Sequence, residues 1–98
     1  MDKQSYVYII TNKNNTVVYI GVTSNLRKRI WEHKNHFYDG FSKKYKLHKL
    51  VYYEILENIE LAIEREKFLK GKRRSYKNQL IEASNPGWKD LYNEIVEK

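Results

Sequence analysis

Cysteine is absent from this 98-residue chain, which excludes disulfides, thiolate nucleophiles and cysteine-based zinc sites together. That absence is compatible with a reducing cytoplasm, the compartment expected for the protein. The longest apolar runs are a few residues, far short of the roughly 20 needed to cross a bilayer, so no membrane association is expected. No charged-then-apolar leader with a small-residue cleavage site opens the chain, and export is not expected either. Proline occurs once, at Pro86, and there is no repeat, linker or low-complexity segment.

What is present is an ordinary globular composition, 32% charged and 41% hydrophobic. The length predicts one domain, residues 1–98, around a single modest core. Nineteen Lys and Arg against twelve Asp and Glu leave a formal net charge of +7. Such a balance favours a polyanionic partner through counterion release, although basic small proteins also carry charge for solubility. Nine tyrosines add faces that could stack on bases, or simply fill a core.

Tyr6 to Thr11 is β-branched and aromatic throughout and reads as a strand. Asn12-Lys13-Asn14-Asn15 is turn chemistry, and Thr16 to Val22 is a second strand, so the pair forms a hairpin. Thr23 or Ser24 is placed to cap a helix from about Asn25 to His36. Phe37 to Tyr45 is basic and aromatic, broken at Gly40, with room for a short helical turn. Lys49 to Leu56 is a third strand, and Asn58 caps a helix from Ile59 to about Lys72. A helix restarts at Ser75 or Tyr76, runs through Ala83 and stops at Asn85-Pro86-Gly87. Trp88 to Val96 reads as a last amphipathic helix. The order β-β-α-β-α-α predicts a small α/β (α+β) domain on a three-stranded, mainly antiparallel sheet flanked by helices.

Several polar residues sit where a core would prefer something else. At 100° per residue, Arg29 and His33 border the Leu26–Ile30 stripe, at about −60° and −20° from Leu26. A snorkelling arginine with a boundary histidine is one reading; an anion meeting the guanidinium is the other. On the helix after Asn58, Glu66 lies at about 140° from Leu61, inside the arc holding Ile59, Ala62, Ile63 and Leu69. A carboxylate there must be protonated, paired with Arg29 or a nearby lysine, or holding a divalent metal ion. Tyr6 and Tyr8 share one strand face, with Tyr19 on the partner strand, either as cross-strand packing or as phenols lining an open surface.

Together these residues resemble the GIY-YIG nuclease superfamily, in particular its small single-domain bacterial members. Tyr6-Val7-Tyr8 stands at the first motif, with Tyr6 in place of its glycine, and Tyr19-Ile20-Gly21 matches the second. Arg29, His33 and Glu66 fall on the family's arginine, a frequent histidine and its glutamate. Gly40-Phe41-Ser42-Lys43-Lys44-Tyr45, Leu50-Val51-Tyr52-Tyr53-Glu54 and Asn85-Pro86-Gly87-Trp88-Lys89-Asp90-Leu91 also look like those of the small members.

The resemblance implies metal-assisted hydrolysis of a DNA phosphodiester, with one Mg²⁺ or Mn²⁺ on Glu66. Arg29 would stabilise charge on the phosphoryl oxygens, Tyr8 would act on the base side of the attacking water, and Tyr19 would position it. His33 would orient water or phosphate, or serve as a hydrogen-bonded support. Asn85 or Asn78 would supply the family's C-terminal asparagine. Lys43, Lys44 and Tyr45, and the basic stretches 43–49 and 67–77, are candidates for DNA contact, with a solvated charged face as the plain alternative. The implied function is a structure-selective or weakly specific DNA endonuclease or nickase, targeted by DNA shape or by a partner protein. Family membership alone suggests a place in repair, recombination or mobile-element biology. A non-catalytic nucleic-acid-binding module on the same scaffold is the alternative, and an RNA-directed protein ranks last.

Overall fold

The computed structural model describes residues 4–35 and 40–96. Strands β1 (Ser5–Thr11), β2 (Val18–Thr23) and β3 (Lys49–Leu56) form an antiparallel sheet in the order β2-β1-β3. The hairpin turn is built by its asparagines. Asn12 Oδ1 accepts from the amides of Thr16 at 2.8 Å and Val17 at 3.1 Å, and Asn15 adopts a φ of 59°, a left-handed conformation asparagine tolerates.

Helix α1 (Leu26–Lys34) is capped by Asn25, whose side chain accepts from the Lys28 amide at 3.1 Å. Neither of the expected caps, Thr23 or Ser24, takes that place; Thr23 Oγ1 accepts from Asn25 N at 3.0 Å and shapes the turn before the helix. The predicted end at His36 and the stretch from Phe37 to Asp39 lie outside the described residues. Gly40, at a φ of 91°, leads into the short helix α2 (Phe41–Lys44). Helix α3 (Ile59–Lys70) has the expected cap, Asn58 Oδ1 accepting from Leu61 N at 2.9 Å.

Helix α4 (Arg74–Ser84) begins one residue before the sequence suggests, and its first residue is fastened to the hairpin. Arg74 donates to Asn15 O at 2.7 Å, Thr16 O at 3.0 Å and Asn78 Oδ1 at 2.8 Å. The last helix, α5 (Tyr92–Val96), does not start at Trp88. Trp88 has a φ of 53° and donates its amide to Asn85 O, while Asp90 Oδ1 receives the Tyr92 amide at 3.0 Å. A turn held by Asn85 and Asp90 therefore replaces the predicted first turn of that helix. The order β-β-α-β-α-α otherwise stands, with α2 and α5 as short additions. No helix among the described residues is long and apolar enough to cross a membrane.

Strand β1 is covered on both faces, which accounts for its unbroken apolar sequence. Val7 and Ile9 pack with Ile20, Ala62, Leu69 and Ile81 beneath α3 and α4. Tyr8 and Ile10 pack with Leu26, Ile30, Leu47 and Leu50 on the opposite face. The β1–β3 register shifts between Ile9 and Ile10, leaving Val51 without an opposite residue. Asn85 Nδ2 meets the Val51 carbonyl at 3.0 Å, which satisfies a buried acceptor at that bulge.

One ion pair ties α3 to β3 and favours the rotation that buries Ala62 and Leu69. Arg65 grips Glu54 of β3 with Nε at 2.9 Å from Oε1 and Nη2 at 2.8 Å from Oε2, and Tyr52 donates its hydroxyl to the same carboxylate. Burial alone would raise the Glu54 carboxyl pKa, but the hydrogen bonds from Arg65 and Tyr52 hold it below its ordinary value. With Arg65 clamped toward β3, Ala62 and Leu69 point into the core. Glu66, about 100° further round, is carried to the other flank.

Candidate active site

Tyr8, Tyr19, His33 and Arg29 come together where β1, β2 and α1 meet. Tyr8 and Gly21 are directly paired across the hairpin, and the Tyr8 ring lies over the glycine. A Cβ at Gly21 would fall 2.3 Å from the Tyr8 hydroxyl oxygen and 2.4 Å from Cζ. The glycine of the second motif is thus required by the tyrosine of the first. Space demands it.

The Tyr8 hydroxyl lies 3.1 Å from His33 Nε2, and His33 Nδ1 lies 2.7 Å from Ser42 Oγ. Ser42 in turn donates to the Leu47 carbonyl at 3.4 Å. A carbonyl only accepts, so Ser42 receives the Nδ1 proton, and Nε2 is left to accept from the Tyr8 hydroxyl. His33 is 5% exposed. Burial, helped by the Arg29 guanidinium and opposed by Glu32, lowers its pKa from 6.5 to about 4. The ring is therefore neutral at physiological pH.

Tyr19 is half-buried, and its ring centroid lies 6.3 Å from that of His33. Arg29, 35% exposed in its side chain, pairs with Glu32 at 3.7 Å. The charge of Arg29 acts on His33, and both lie on the side of α1 that borders Leu26 and Ile30.

Glu66 reaches the same region from α3. It is not in the middle of the buried face, as the apolar arc suggests: Ile59 and Ile63 are 39% and 38% exposed, and the core is met by Ala62 and Leu69. Glu66 is on the border, its side chain 19% exposed, with Lys70 Nζ 3.2 Å from Oε2. Lys70 Nζ also stands 5.6 Å from the centre of the Tyr19 ring. A continuous series of contacts thus runs Glu66, Lys70, Tyr19, His33, Tyr8.

Of the remaining expected residues, Lys43, Lys44 and Tyr45 are exposed on and just after α2. That helix is tied to the cluster by the Ser42–His33 bond. Asn85 is 4% exposed, with its amide nitrogen spent on Val51 O and Lys89 O and its oxygen on Lys89 N. Asn78 holds Arg74. Neither asparagine joins the cluster through these bonds. Ser42 and Lys70 were not singled out by the sequence. Lys70 had a readable signal, since i and i+4 share a helix face; Ser42 had none beyond its place in the Gly40–Tyr45 segment.

Among the described residues, no three His, Cys, Asp or Glu side chains cluster as a ligand set. One carboxylate can hold a hard divalent ion that takes its other oxygens from water and phosphate, here in competition with the Lys70 ammonium. Glu66 fits Mg²⁺ or Mn²⁺ in that sense and would not build a closed structural site.

A family model described as the GIY-YIG catalytic domain matches residues 4–80. The chain is 38% identical over 81 residues to a UPF0213 protein of Clostridium perfringens, covering 83% of this chain and 86% of that one. It is 34% identical over 82 residues to a UPF0213 protein of Syntrophus aciditrophicus, covering 83% and 93% respectively. The solution NMR structure of a UPF0213 protein from Bacillus halodurans has the same fold, with a TM-score of 0.56, 24% identity and coverage of 90% of this chain and 93% of that one.

Proposed function

The chain belongs to the GIY-YIG catalytic-domain family, a nuclease superfamily, and from that premise we propose that it is a metal-dependent DNA endonuclease or nickase. The observation that carries this reading is the run of contacts from Glu66 through Lys70 and Tyr19 to His33 and Tyr8, with Arg29 acting on His33. A carboxylate, a guanidinium, a neutral imidazole and two phenols are groups that can serve phosphodiester hydrolysis.

A divalent ion held by Glu66 would supply Lewis acidity to the scissile phosphate and its leaving oxygen. Arg29, half-buried beside Glu32, offers a planar fork to the phosphoryl oxygens. The two phenols divide the remaining work by their accessibility. Tyr8 is 1% exposed and Tyr19 partly exposed, so water first meets Tyr19, and Tyr8 acts through His33.

His33 does not take the Tyr8 proton in the resting protein. Its pKa, lowered to about 4 chiefly by burial, leaves the neutral imidazole a weak base. Burial is the larger cause of that lowering and Arg29 the second, so a phosphate on Arg29 would offset only the smaller part of it.

Cleavage of supercoiled plasmid, flap and branched DNA in Mg²⁺, Mn²⁺ or EDTA, by wild type and Glu66→Ala, tests the proposal. Metal-dependent cutting that disappears in the variant, with DNA affinity retained, is expected. The Glu66–Lys70 ion pair is also what a non-catalytic binding module would show, because lysine then satisfies the carboxylate permanently. DNA binding without cutting under every metal condition would establish that second reading.

A further inference from the structure

Residues 67–81 contain six Lys or Arg and no Asp or Glu. Two of the six are committed, Arg74 to the hairpin turn and Lys70 to Glu66. Lys67, Lys72, Arg73 and Lys77 form no ion pair among the described residues. In the midst of these cations stand two aromatic rings that the core does not use. Phe68 is 46% and Tyr76 37% exposed, and their centroids lie 6.2 Å apart, edge to face at 78°. Lys72 Nζ is held 4.6 Å from the Phe68 centroid and 5.3 Å from that of Tyr76, and Arg65 Cζ lies 5.5 Å from Phe68.

We propose that this α3–α4 corner docks single-stranded DNA, with unpaired bases on Phe68 and Tyr76 and phosphates on Lys67, Lys72, Arg73 and Lys77. The proposal rests on the DNA-directed reading above and names the form of DNA the protein engages. Exposed rings beside unpaired cations are the combination that single strands need, since stacking supplies base contact and cations follow the backbone. A duplex buries its base faces in its own stack and cannot use the rings. Lys72 does not block them. A cation over an exposed ring is held more weakly than a stacked base, so a base displaces the ammonium and releases it to the neighbouring phosphate.

The corner is distinct from the candidate active site. Phe68 and Glu66 are two residues apart on α3, hence about 200° apart around its axis. A strand stacked at Phe68 reaches Glu66 by rounding the C-terminal end of the helix at Lys70 and Gly71. The carbonyls there carry partial negative charge, and Lys70, Lys72 and Arg73 offset it. Lys70, which touches both Glu66 and the Tyr19 ring, marks the inner end of that route.

The test is fluorescence anisotropy in EDTA, with labelled oligothymidylate and a duplex of equal length, on wild type, Phe68→Ala/Tyr76→Ala and Phe68→Trp. Wild type is expected to prefer the single strand. The double variant should lose about tenfold or more of that affinity, with duplex affinity unchanged and a melting temperature near wild type. Phe68→Trp should keep the affinity and gain fluorescence that the oligonucleotide quenches. Wild-type affinity in the double variant, or equal displacement by polyglutamate of matched charge, would overturn the proposal; the latter points to an acidic protein partner. Because no metal is present, the outcome is independent of turnover. A protein that shows this loss yet never cuts DNA keeps the corner and sinks the nuclease reading. One that cuts while the double variant binds normally does the reverse.

Discussion

Substituting Gly21 by alanine is the sharpest probe of how the two hairpin motifs depend on each other. The added Cβ would stand 2.3 Å from the Tyr8 hydroxyl oxygen, 2.4 Å from Cζ and 2.9 Å from Cε2. Ordinary contact between carbon atoms is about 3.5–4.0 Å, so the overlap exceeds about 1 Å at two atoms. Tyr8 is 1% exposed and its hydroxyl is bonded to His33, so the ring cannot swing into solvent to relieve it. Overpacking of this kind costs about 1–3 kcal/mol, and an overlap against an enclosed ring belongs at the upper end. Gly21 has no positive φ among the described residues that would add a conformational cost. Replacing glycine within a strand regains about 0.5–1 kcal/mol. The net loss is then about 2 kcal/mol, which lowers the melting temperature of a domain this size by about 8–16 °C.

Thermal melting by circular dichroism, with His33 ring signals followed by NMR, checks the argument in two backgrounds. In Tyr8→Ala the obstruction is gone, and Gly21→Ala should become neutral or slightly stabilising there. The difference between backgrounds measures the contact itself. Equal penalties in both, or a Gly21→Ala protein that melts with wild type and keeps its Tyr8–His33 bond, would refute the reasoning.

Three further outcomes are expected. Because the folded-state pKa of His33 is lowered from 6.5 to about 4, the neutral ring belongs to the native state. Its contribution to stability is fully present above pH 6.5 and is lost as pH falls through 4. His33→Gln should flatten that limb of a stability–pH profile, and an unchanged limb would show that another group governs it. Lys70→Gln removes the ammonium from Glu66, so Mn²⁺ affinity by calorimetry should rise by at least about twofold; unchanged or weaker binding would remove Lys70 as a competitor for the carboxylate. Arg29→Lys should cut DNA poorly although charge is conserved, because lysine has no planar fork. Full activity in that variant would leave Arg29 a structural role only.

Features set by neighbouring residues were legible in the sequence, and those set by distant ones were not. The bounds of β3, the Asn58 cap and the asparagine turn of the hairpin are local chemistry, and reading along the chain found them. The start of α5 was misplaced because Trp88 to Leu91 looks amphipathic, while the turn there is held by Asn85 and Asp90 through bonds to β3. The inward face of α3 was misjudged for a related reason. Counting apolar residues put the arc's centre near Glu66, since Ile59 and Ile63 count as core residues although each is more than a third exposed. Arg65 is held by Glu54, eleven residues away and in another element, a contact consistent with the observed rotation. Periodicity along α3 cannot contain that information.

The same clamp explains why the candidate site lies at an edge of the sheet. Tyr8 faces α1, on one side of β1, whereas α3 packs on the side of Val7 and Ile9. A residue of α3 cannot reach Tyr8 through the sheet, because β1 is central and covered on both faces. It can do so only round a strand that has a neighbour on one side alone. In the order β2-β1-β3 the edge strand nearest Tyr19 is β2 itself, and Lys70 closes the distance between Glu66 and the Tyr19 ring there. Holding Arg65 toward β3 forces Glu66 toward β2, so a contact on the far edge of the sheet aims the candidate metal ligand. Glu54→Gln, which weakens that hold without touching the cluster, should therefore loosen Glu66 as well as α3. Were the position of Glu66 set locally by its own pair with Lys70, Glu54→Gln would leave Mn²⁺ affinity unchanged.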